Sequence, residues 1–330
     1  MAVETKKVER DEAGMRLDRW FKLHYPGLGF GHLQKLIRSG QVRVDGARVE
    51  TSARLAAGQA VRVPPLAAGD TRPVKPMSLR KASDRDVLSA AILHEDSEVI
   101  VFNKPYGLAV QGGSGLTRHV DQMLEAFTDR HGRKPRLVHR LDRDTSGVLV
   151  VARTRTAAAF LGEAFKARET LKLYFALVAG VPRPATGRIS TFLARDESAE
   201  RMRVAKHGES GADHAVTLYG LADKAGQKIA FLVMRPITGR THQLRAHAAF
   251  INHPIIGDPK YFNVENWELP GGIQNRLHLL ARRIVLPHPK GGTLDVSAPL
   301  PPHMHQSFAV LGFEERSGDA AGEALRSAKG

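Results

Sequence analysis

The stretch LVHRLDRDTSGVL, residues 137–149, sets a dense polar segment directly before an apolar run. Residues 139–147 carry one histidine, two arginines, two aspartates and two hydroxyl side chains. The run LVVA, residues 149–152, is typical of a buried strand. A carboxylate in a loop beside arginines stays ionised and can act as a nucleophile or a base. A salt-bridged turn, in which Thr145 and Ser146 hydrogen-bond to the backbone, is the structural alternative.

Strands and a helix are predicted on either side of this loop. Residues 99–102 form a short apolar strand, and residues 171–178 and 228–234 alternate as strands do. An apolar pattern through residues 160–165 predicts a helix. We therefore predict an α+β domain over residues 93–314, with a mixed, mostly antiparallel sheet.

Residues 14–64 have the pattern of a second, smaller unit. One helix presents Leu17 and Trp20 on its apolar face, and a second helix is predicted near residues 33–38. The alternating stretch VRVDGARV, residues 42–49, contains the Asp-Gly pair of a β-hairpin.

This small unit carries nine basic and three acidic residues, so it has an excess of positive charge. Its two helices and hairpin resemble the S4 domain, a small RNA-binding module. The resemblance implies RNA binding but names no reaction, and a solvated helix face is the alternative for the charges. The residues that we predict to contact RNA are Arg16, Lys35, Arg38 and Arg43.

Three further segments have little pattern of their own. Residues 1–13 are predicted to be a flexible N-terminus, and residues 65–92, which contain several prolines and alanines, are predicted to be a linker. Residues 315–330 end in serine, glycine, alanine and lysine, a composition that predicts a disordered tail.

The composition limits the classes of protein that this chain can be. Lysine and arginine number 49 against 34 aspartates and glutamates, a formal net charge of +15. This excess argues for a polyanionic partner, nucleic acid before a membrane surface. The absence of cysteine excludes disulfides and thiolate chemistry. Because we find neither a secretory signal pattern nor an apolar run of about 18 residues, we expect a cytoplasmic protein without membrane contact.

Two more segments carry polar side chains in ordered patterns. MRPITGRTHQLRAH, residues 234–247, predicts a turn and then a helix that starts near Thr241 and has Thr241 and Arg245 on one face. Its two histidines lack a carboxylate at helical spacing, so we predict no metal site. KLYFALVAG, residues 172–180, alternates as a strand and places Tyr174 opposite the apolar side chains, where it either lines a cleft or is simply half-buried.

Together these segments resemble the RluA family of RNA pseudouridine synthases. Residues 139–147 match the family signature His-Arg-Leu-Asp-x-x-Thr-Ser-Gly at every fixed position. Further matches, in the family's order, are residues 95–96, 103–107, 172–180, 238–247, 253–258, 276–279 and 288–289. The S4-like module and QGGSG at residues 111–115 make the chain most similar to the RluC branch, which modifies large-subunit ribosomal RNA.

The resemblance implies roles for particular residues and no metal or organic cofactor. Asp142 corresponds to the family's essential aspartate, a nucleophile or charge partner. Tyr174 corresponds to an active-site tyrosine that stacks on the flipped uracil and is a candidate general base. Arg245 corresponds to the arginine that pairs with the aspartate. The supporting residues are His139, Arg140, Thr145, Lys172, Arg240 and His242.

The function implied is conversion of specific uridines in 23S ribosomal RNA to pseudouridine, by glycosidic cleavage, base rotation and C5–C1′ rejoining. The partner is ribosomal RNA, either free or in a large-subunit precursor, and a monomer is expected. The alternatives are the same chemistry on transfer RNA or another large-subunit site, a non-catalytic RNA-binding assembly factor, and a hydrolase that uses Asp142 and Asp144 as a carboxylate pair.

Overall fold

The computed structural model describes residues 3–9, 12–25, 28, 30–66, 83–112, 118–130, 132–167, 169–196, 198, 201–265 and 267–327. Most of the predicted linker and part of the QGGSG motif lie outside these ranges. The chain divides into two compact units. Unit 1 comprises residues 1–80 and 266–276, and unit 2 comprises residues 81–265 and 277–330.

Unit 1 packs two helices against a small sheet. Its elements are β1 (Glu4–Lys7), α1 (Leu17–His24), α2 (Phe30–Arg38), β2 (Arg43–Val44) and β3 (Ala60–Val63). The sheet is antiparallel in the order β1-β3-β2. The predicted apolar faces are confirmed, since Leu17 and Trp20 of α1 are fully buried and Leu33 and Ile37 of α2 are nearly so. These side chains form the core of the unit.

The predicted hairpin is present only as a tight turn. Asp45 and Gly46 both have positive φ angles, 49° and 79°, as a two-residue hairpin turn requires. Beyond the turn, Ala47 makes a single bridge to Val44. The longer partner of β2 is β3, which lies further along the chain.

The prediction of a flexible N-terminus at residues 1–13 is wrong for the residues described. β1 pairs with β3 along its whole length. Glu12 is buried because its carboxylate accepts hydrogen bonds from the Trp20 indole N–H at 2.9 Å and the Glu9 amide at 2.9 Å, and also contacts His24. A buried, fully partnered carboxylate fixes this segment to the core.

Residues 266–276 interrupt the predicted catalytic domain and belong to unit 1. Within unit 1, Arg54 donates a hydrogen bond from Nη1 to the Leu269 carbonyl at 2.9 Å. The Arg16 side chain also lies so close to Gly271 that a β-carbon there would be 2.6 Å from its Cδ. The predicted continuous domain over residues 93–314 is therefore wrong at this segment.

Unit 2 is built on one large sheet. Its strands are β4 (Ile92–Glu95), β5 (Val99–Lys104), β6 (Arg136–Leu137), β7 (Ser146–Ala152), β8 (Leu171–Ala179), β9 (Thr186–Asp196), β10 (Arg201–Ala205), β11 (Asp213–Ala225), β12 (Ile229–Pro236), β13 (Leu279–Pro287) and β14 (Thr293–Ser297). The order is β10-β9-β11-β12-β8-β13-β7-β5-β4, with β14 on β13 and β6 on β7. All pairs are antiparallel except β13 with β7, so the predicted α+β class and mixed, mostly antiparallel sheet are confirmed.

Six α-helices are found among the described residues of unit 2, besides the 3₁₀ helix Leu124–Phe127. They are α3 (Asp84–Ser89), α4 (Val120–Met123), α5 (Arg155–Lys166), α6 (Gln243–Phe250), α7 (Pro302–Leu311) and α8 (Glu315–Ser327). The predicted linker thus ends earlier than expected, since α3 begins with a complete capping box at Ser83. Among the described residues, no helix has the length and apolarity that crossing a bilayer requires.

The predicted disorder is wrong for residues 315–327, which form α8, and residues 328–330 of that prediction lie outside the described residues. The two buried glycines of α8, Gly318 and Gly322, allow the helix to lie against the side chains of β8 and β12. A β-carbon on Gly318 would lie 2.3 Å from the Phe231 ring, and one on Gly322 would lie 2.9 Å from Leu173. The glycines that suggested disorder are the residues that make this close packing feasible.

The parallel pairing of β13 with β7 depends on a glycine. Gly147 pairs with Ala281 and has a φ of +109°, which side chains rarely adopt. A β-carbon on Gly147 would lie 2.2 Å from the Ala281 carbonyl oxygen. The last position of the Thr-Ser-Gly segment therefore fixes where the polar loop enters the sheet.

Replacing Gly147 with alanine is expected to lower the free energy of unfolding by about 3 kcal/mol or more, since strain and a backbone clash add. Thermal or urea unfolding measures the loss. Gly162→Ala in α5 is the matched control, because its β-carbon would meet nothing within 4 Å. It is expected to stabilise the helix by about 0.5–1 kcal/mol. Equal stability of Gly147→Ala and the parent protein would contradict this account.

Candidate active site

A cavity of about 640 Å³ in unit 2 brings the predicted polar segments together. Its walls come from the loop between β6 and β7, the start of β8 and the segment from the end of β12 into α6. Its basic lining residues, besides two histidines, are Arg140, Lys166, Lys172, Arg240 and Arg245. Asp142 is the acidic residue among the described lining residues. The volume suits a small ligand or one nucleotide.

Asp142 lies in the turn that precedes β7. Its backbone carbonyl accepts a hydrogen bond from the Thr145 N–H at 3.2 Å, which closes the turn. Thr145 itself is buried at 3% exposure, and its backbone leads directly into the fully buried strand. The Asp142 carboxylate stays partly open to the cavity, with 19% of its side chain exposed. A rigid strand therefore presents a solvent-accessible carboxylate.

Arg245 joins Asp142 to a second aspartate that the sequence analysis did not single out. Arg245 donates from Nε and Nη2 to the two carboxylate oxygens of Asp258, each at 2.7 Å, and from Nη1 to Asp142 at 3.4 Å. Burial lowers the pKa of Arg245, but the hydrogen bonds and charge of Asp258 outweigh it and raise that pKa. Asp258 is 2% exposed and also accepts from the Lys260 and Tyr261 amides.

His242 is the third group that faces Asp142. Its Nε2 lies 3.9 Å from the Asp142 carboxylate, and its Nδ1 lies 3.1 Å from the Tyr261 hydroxyl. Burial lowers the pKa of His242, so the imidazole is neutral near pH 7. The Tyr261 oxygen accepts from the Met202 amide at 2.7 Å, which leaves its proton for Nδ1 of His242. In the tautomer whose Nδ1 accepts from this hydroxyl, the ring proton of His242 is on Nε2, the nitrogen that faces Asp142.

His139 is a fixed structural part of the site. Its Nε2 accepts a hydrogen bond from the Val150 amide of β7 at 2.8 Å, and its ring stacks on Phe165 with centroids 4.8 Å apart. Burial first, and the charge of Lys172 second, lower its pKa to about 3. A neutral His139 is required, because a protonated Nε2 could not accept from the strand.

Stability is therefore expected to fall as the pH falls. The folded pKa of His139 lies below its ordinary value of 6.5, so its contribution is complete above pH 6.5 and is lost progressively toward pH 3. His139→Gln is expected to reduce the slope of the free energy of unfolding against pH by up to about 1.4 kcal/mol per pH unit in that range. Chemical denaturation at several pH values measures it. His305→Gln, on an exposed histidine, should retain the parent slope; an unchanged slope in His139→Gln would disprove the assignment.

Lys104 is a buried lysine that holds the loop between β6 and β7 in place. It is 1% exposed, and its ammonium donates to the carbonyls of Pro105, Leu108 and Arg143 at 3.0, 2.8 and 2.9 Å. Burial lowers its pKa to about 7, while the charges of Asp144 and Asp142 partly offset that effect. Residues 103–107 were matched to the family from the sequence, but the three carbonyl acceptors of Lys104 could not be predicted from it.

Tyr174 and Lys172 project into the cavity from one face of β8. The Tyr174 hydroxyl has no hydrogen-bond partner among the described residues, and burial first and the Asp142 charge second raise its pKa well above the ordinary value. The opposite face of β8 holds Phe175, which packs on Phe231. The predicted alternation of this strand is therefore confirmed, and Tyr174 lines a cleft.

Gln243 holds the segment that leads into α6 in place, although Gln243 was not among the predicted site residues. Its Oε1 accepts from the Thr238 hydroxyl at 2.6 Å and the Arg240 amide at 3.0 Å. Its Nε2 donates to the Val216 carbonyl and the Thr217 hydroxyl, each at 2.9 Å. Among the predicted supports, Arg240 is exposed and donates to the His214 carbonyl, and Arg140 is exposed at the cavity.

The four predicted RNA-contact residues of unit 1 differ in their surroundings. Arg16 forms an ion pair with Asp18 at 2.9 Å, and Arg43 donates to the Gly40 and Gly46 carbonyls. Lys35 and Arg38 are exposed on α2, opposite its buried face, with no ion pair among the described residues. The charges that remain available for a ligand are therefore those of Lys35 and Arg38.

Neither the hydrolase with a carboxylate pair nor a metal site finds support in the geometry of the described residues. Asp144 pairs with Arg143 at 3.2 Å and does not line the cavity, so it does not form a carboxylate pair across it with Asp142. Within the described part of the chain, no group of three or more histidines and carboxylates is arranged to hold a metal ion. His247 is fully buried between the hydroxyls of Thr191 and Thr217.

Comparison with known proteins agrees with this arrangement. A family model described as RNA pseudouridylate synthase matches residues 98–250. The ribosomal large subunit pseudouridine synthase C of Pasteurella multocida (strain Pm70) is 36% identical over 324 residues, which cover 96% of this chain and 96% of the relative. The chain belongs to the RNA pseudouridylate synthase family. The synthase C of Escherichia coli (strain K12) is 35% identical over 91% of this chain and 93% of its own length.

Solved structures place the same fold in other members of the family. Human RNA pseudouridylate synthase domain containing 4 gives a TM-score of 0.59 at 30% identity and covers 69% of this chain and 95% of its own. Human RNA pseudouridylate synthase domain containing 1 gives a TM-score of 0.52 at 27% identity and covers 64% of this chain and 83% of its own. The resemblance to the RluA family and its RluC branch is thereby confirmed, and the chain is an RNA pseudouridine synthase.

Proposed function

We propose that this synthase isomerises specific uridines of 23S ribosomal RNA to pseudouridine, with Asp142 as its essential carboxylate. The observation that carries the proposal is a single partly open aspartate, held by Arg245 in a basic cavity of nucleotide size. The relatives that span nearly the whole chain are named as large-subunit enzymes.

Asp142 acts at the sugar or the base during glycosidic cleavage. Arg245 orients it, since Nη1 of the guanidinium donates to the carboxylate. His242 adds a neutral N–H donor on the same side. Together these groups hold the carboxylate in a fixed position facing the cavity, so that it acts without a large rearrangement.

Tyr174 stacks on the uracil rather than serving as a base. Its raised pKa keeps the phenol protonated near neutral pH, which leaves little phenolate to accept a proton. A flipped base needs an aromatic or apolar surface to replace the stacking that it loses. The phenol ring at the cavity wall provides that surface.

The remaining charge serves binding. A net charge of +15 attracts the RNA backbone without regard to sequence. In the S4-like unit 1, exposed Lys35 and Arg38 of α2 supply a second contact that helps select the site. We further propose a cytoplasmic monomer that acts on ribosomal RNA either free or within a large-subunit precursor.

The experiment maps pseudouridines in ribosomal and transfer RNA from cells that lack this protein and from cells in which it is restored. Loss and return of specific large-subunit positions is the expected result. Loss confined to transfer RNA would favour the same chemistry on another substrate. If no position were lost in either RNA, the proposal would be wrong and an RNA-binding assembly factor would be the better reading.

A further inference from the structure

Lys172 is a cation in the cavity wall that the fold does not neutralise. It is half-buried, and among the described residues it has neither a hydrogen bond nor an ion pair. The other lysines near the site are satisfied within the fold: Lys104 donates to three carbonyls, and Lys166 pairs with Glu163 at 2.8 Å. Lys172 therefore differs from these two neighbouring lysines in having no partner among the described residues.

An ammonium group withdrawn from water and left without an anion costs free energy. Burial accordingly lowers the pKa of Lys172. The Lys172 charge also reaches His139, whose pKa it helps to lower. A site of this kind is completed when an anion enters the cavity, because the anion restores the interactions that the lysine lost on folding.

The position of Lys172 indicates which anion it would bind. Lys172 and Tyr174 lie two residues apart on one face of β8, a separation of about 6.6 Å along the strand. Nζ of Lys172 lies 3.9 Å from where a β-carbon of Gly239 would stand, next to the exposed Arg240. The lysine is thus displaced from the tyrosine along the cavity wall, beside a segment that ends at the surface.

We propose that Nζ of Lys172 binds a backbone phosphate of the nucleotide whose base occupies the cavity. This inference rests on the proposed function, which puts the uracil against Tyr174 and Asp142. Uracil is uncharged, and the anionic part of a nucleotide begins one sugar away from the base. A charge-assisted hydrogen bond from Lys172 therefore anchors the backbone while the base is turned over.

The first test compares Lys172→Met with Lys172→Arg and with Lys224→Met, using an RNA stem-loop that carries the mapped uridine. Lys224 is an exposed lysine away from the cavity and controls for the loss of one charge. Lys172→Met is expected to weaken RNA binding by about 10- to 100-fold. It should also reduce the slope of log affinity against log salt by about 0.7, the value for one phosphate contact on a single strand. Lys172→Arg should restore much of the affinity.

The thermal midpoint separates this role from a structural one. Lys172→Met removes an unpaired cation, so its Tm is expected to rise by about 2 °C. A residue that only supports the fold would lower the Tm when replaced. A lowered Tm together with unchanged RNA affinity would overturn the proposal.

The decisive test replaces single phosphates next to the target uridine with neutral methylphosphonates. At one position the replacement should weaken binding to the parent protein by about the same factor as Lys172→Met, and should add little in that variant. If every replacement weakens both proteins equally, Lys172 does not bind a backbone phosphate there. Absence of pseudouridine formation by the parent protein on mapped RNA would instead count against the proposed function.

Discussion

Asp142→Asn is expected to lower the rate of pseudouridine formation by at least about 10³-fold while the protein stays folded. Asparagine keeps the size and shape of the side chain but removes the charge that faces Arg245 and His242. The carboxylate is partly exposed at the end of a turn, and its loss leaves the buried Arg245 paired with Asp258. The effect therefore falls on the reaction rather than on the fold.

Single-turnover kinetics with the protein in excess over RNA measure this effect, since binding is then saturated. Asp144→Asn is the matched control, because it alters a carboxylate two residues away that pairs with Arg143 and lies outside the cavity lining. Its rate should stay within a few-fold of the parent rate. A fully active Asp142→Asn, or equal losses in the two variants, would remove Asp142 from the centre of the mechanism.

Breaking the pair of Arg245 and Asp258 is expected to lower both stability and activity. Asp258→Asn leaves a buried guanidinium without its two-oxygen partner, which costs about 3–5 kcal/mol for a buried pair. Free of Asp258, Arg245 no longer holds its third nitrogen toward Asp142. We therefore expect a fall in the reaction rate of about 10²-fold under conditions where the variant is still folded.

Urea unfolding and single-turnover kinetics at low temperature test the two parts of this prediction. Asp319→Asn serves as a control, since Asp319 pairs with Arg282 at 2.9 Å on a side chain that is 47% exposed. Surface pairs contribute about 0–1 kcal/mol, so this variant should remain near the parent stability. A stability change in Asp258→Asn no larger than that of Asp319→Asn would show that the buried pair is unimportant.

The sequence predicted the main side chains of the site, and the structure brings them together. Asp142 and Arg245 are separated by 103 positions, yet their side chains meet at 3.4 Å. Tyr174 and Lys172 followed from strand alternation and from the family signature. Asp258 lay in a matched motif but was given no role, because its partner is 13 residues away across a turn and no local spacing encodes such a pair.

The two incorrect predictions of disorder and flexibility have a common physical origin. Glycines near the C-terminus suggested disorder, but Gly318 and Gly322 let a helix approach β8 and β12. The charged N-terminal segment suggested flexibility, but β1 is held by β3, which lies more than fifty residues further on. In both places a distant part of the chain supplies the contacts, and local composition cannot report them.

The packing of α8 also has a consequence for the order of events during synthesis. β8 carries Lys172 and Tyr174 on one face, and α8 covers its other face at Leu173 and Phe175. Because α8 follows in the chain every strand that it covers, the face of β8 that bears Leu173 and Phe175 stays uncovered until α8 has been synthesised. The sheet face behind the cavity is therefore covered by the last element described in unit 2, after all of its strands have been made.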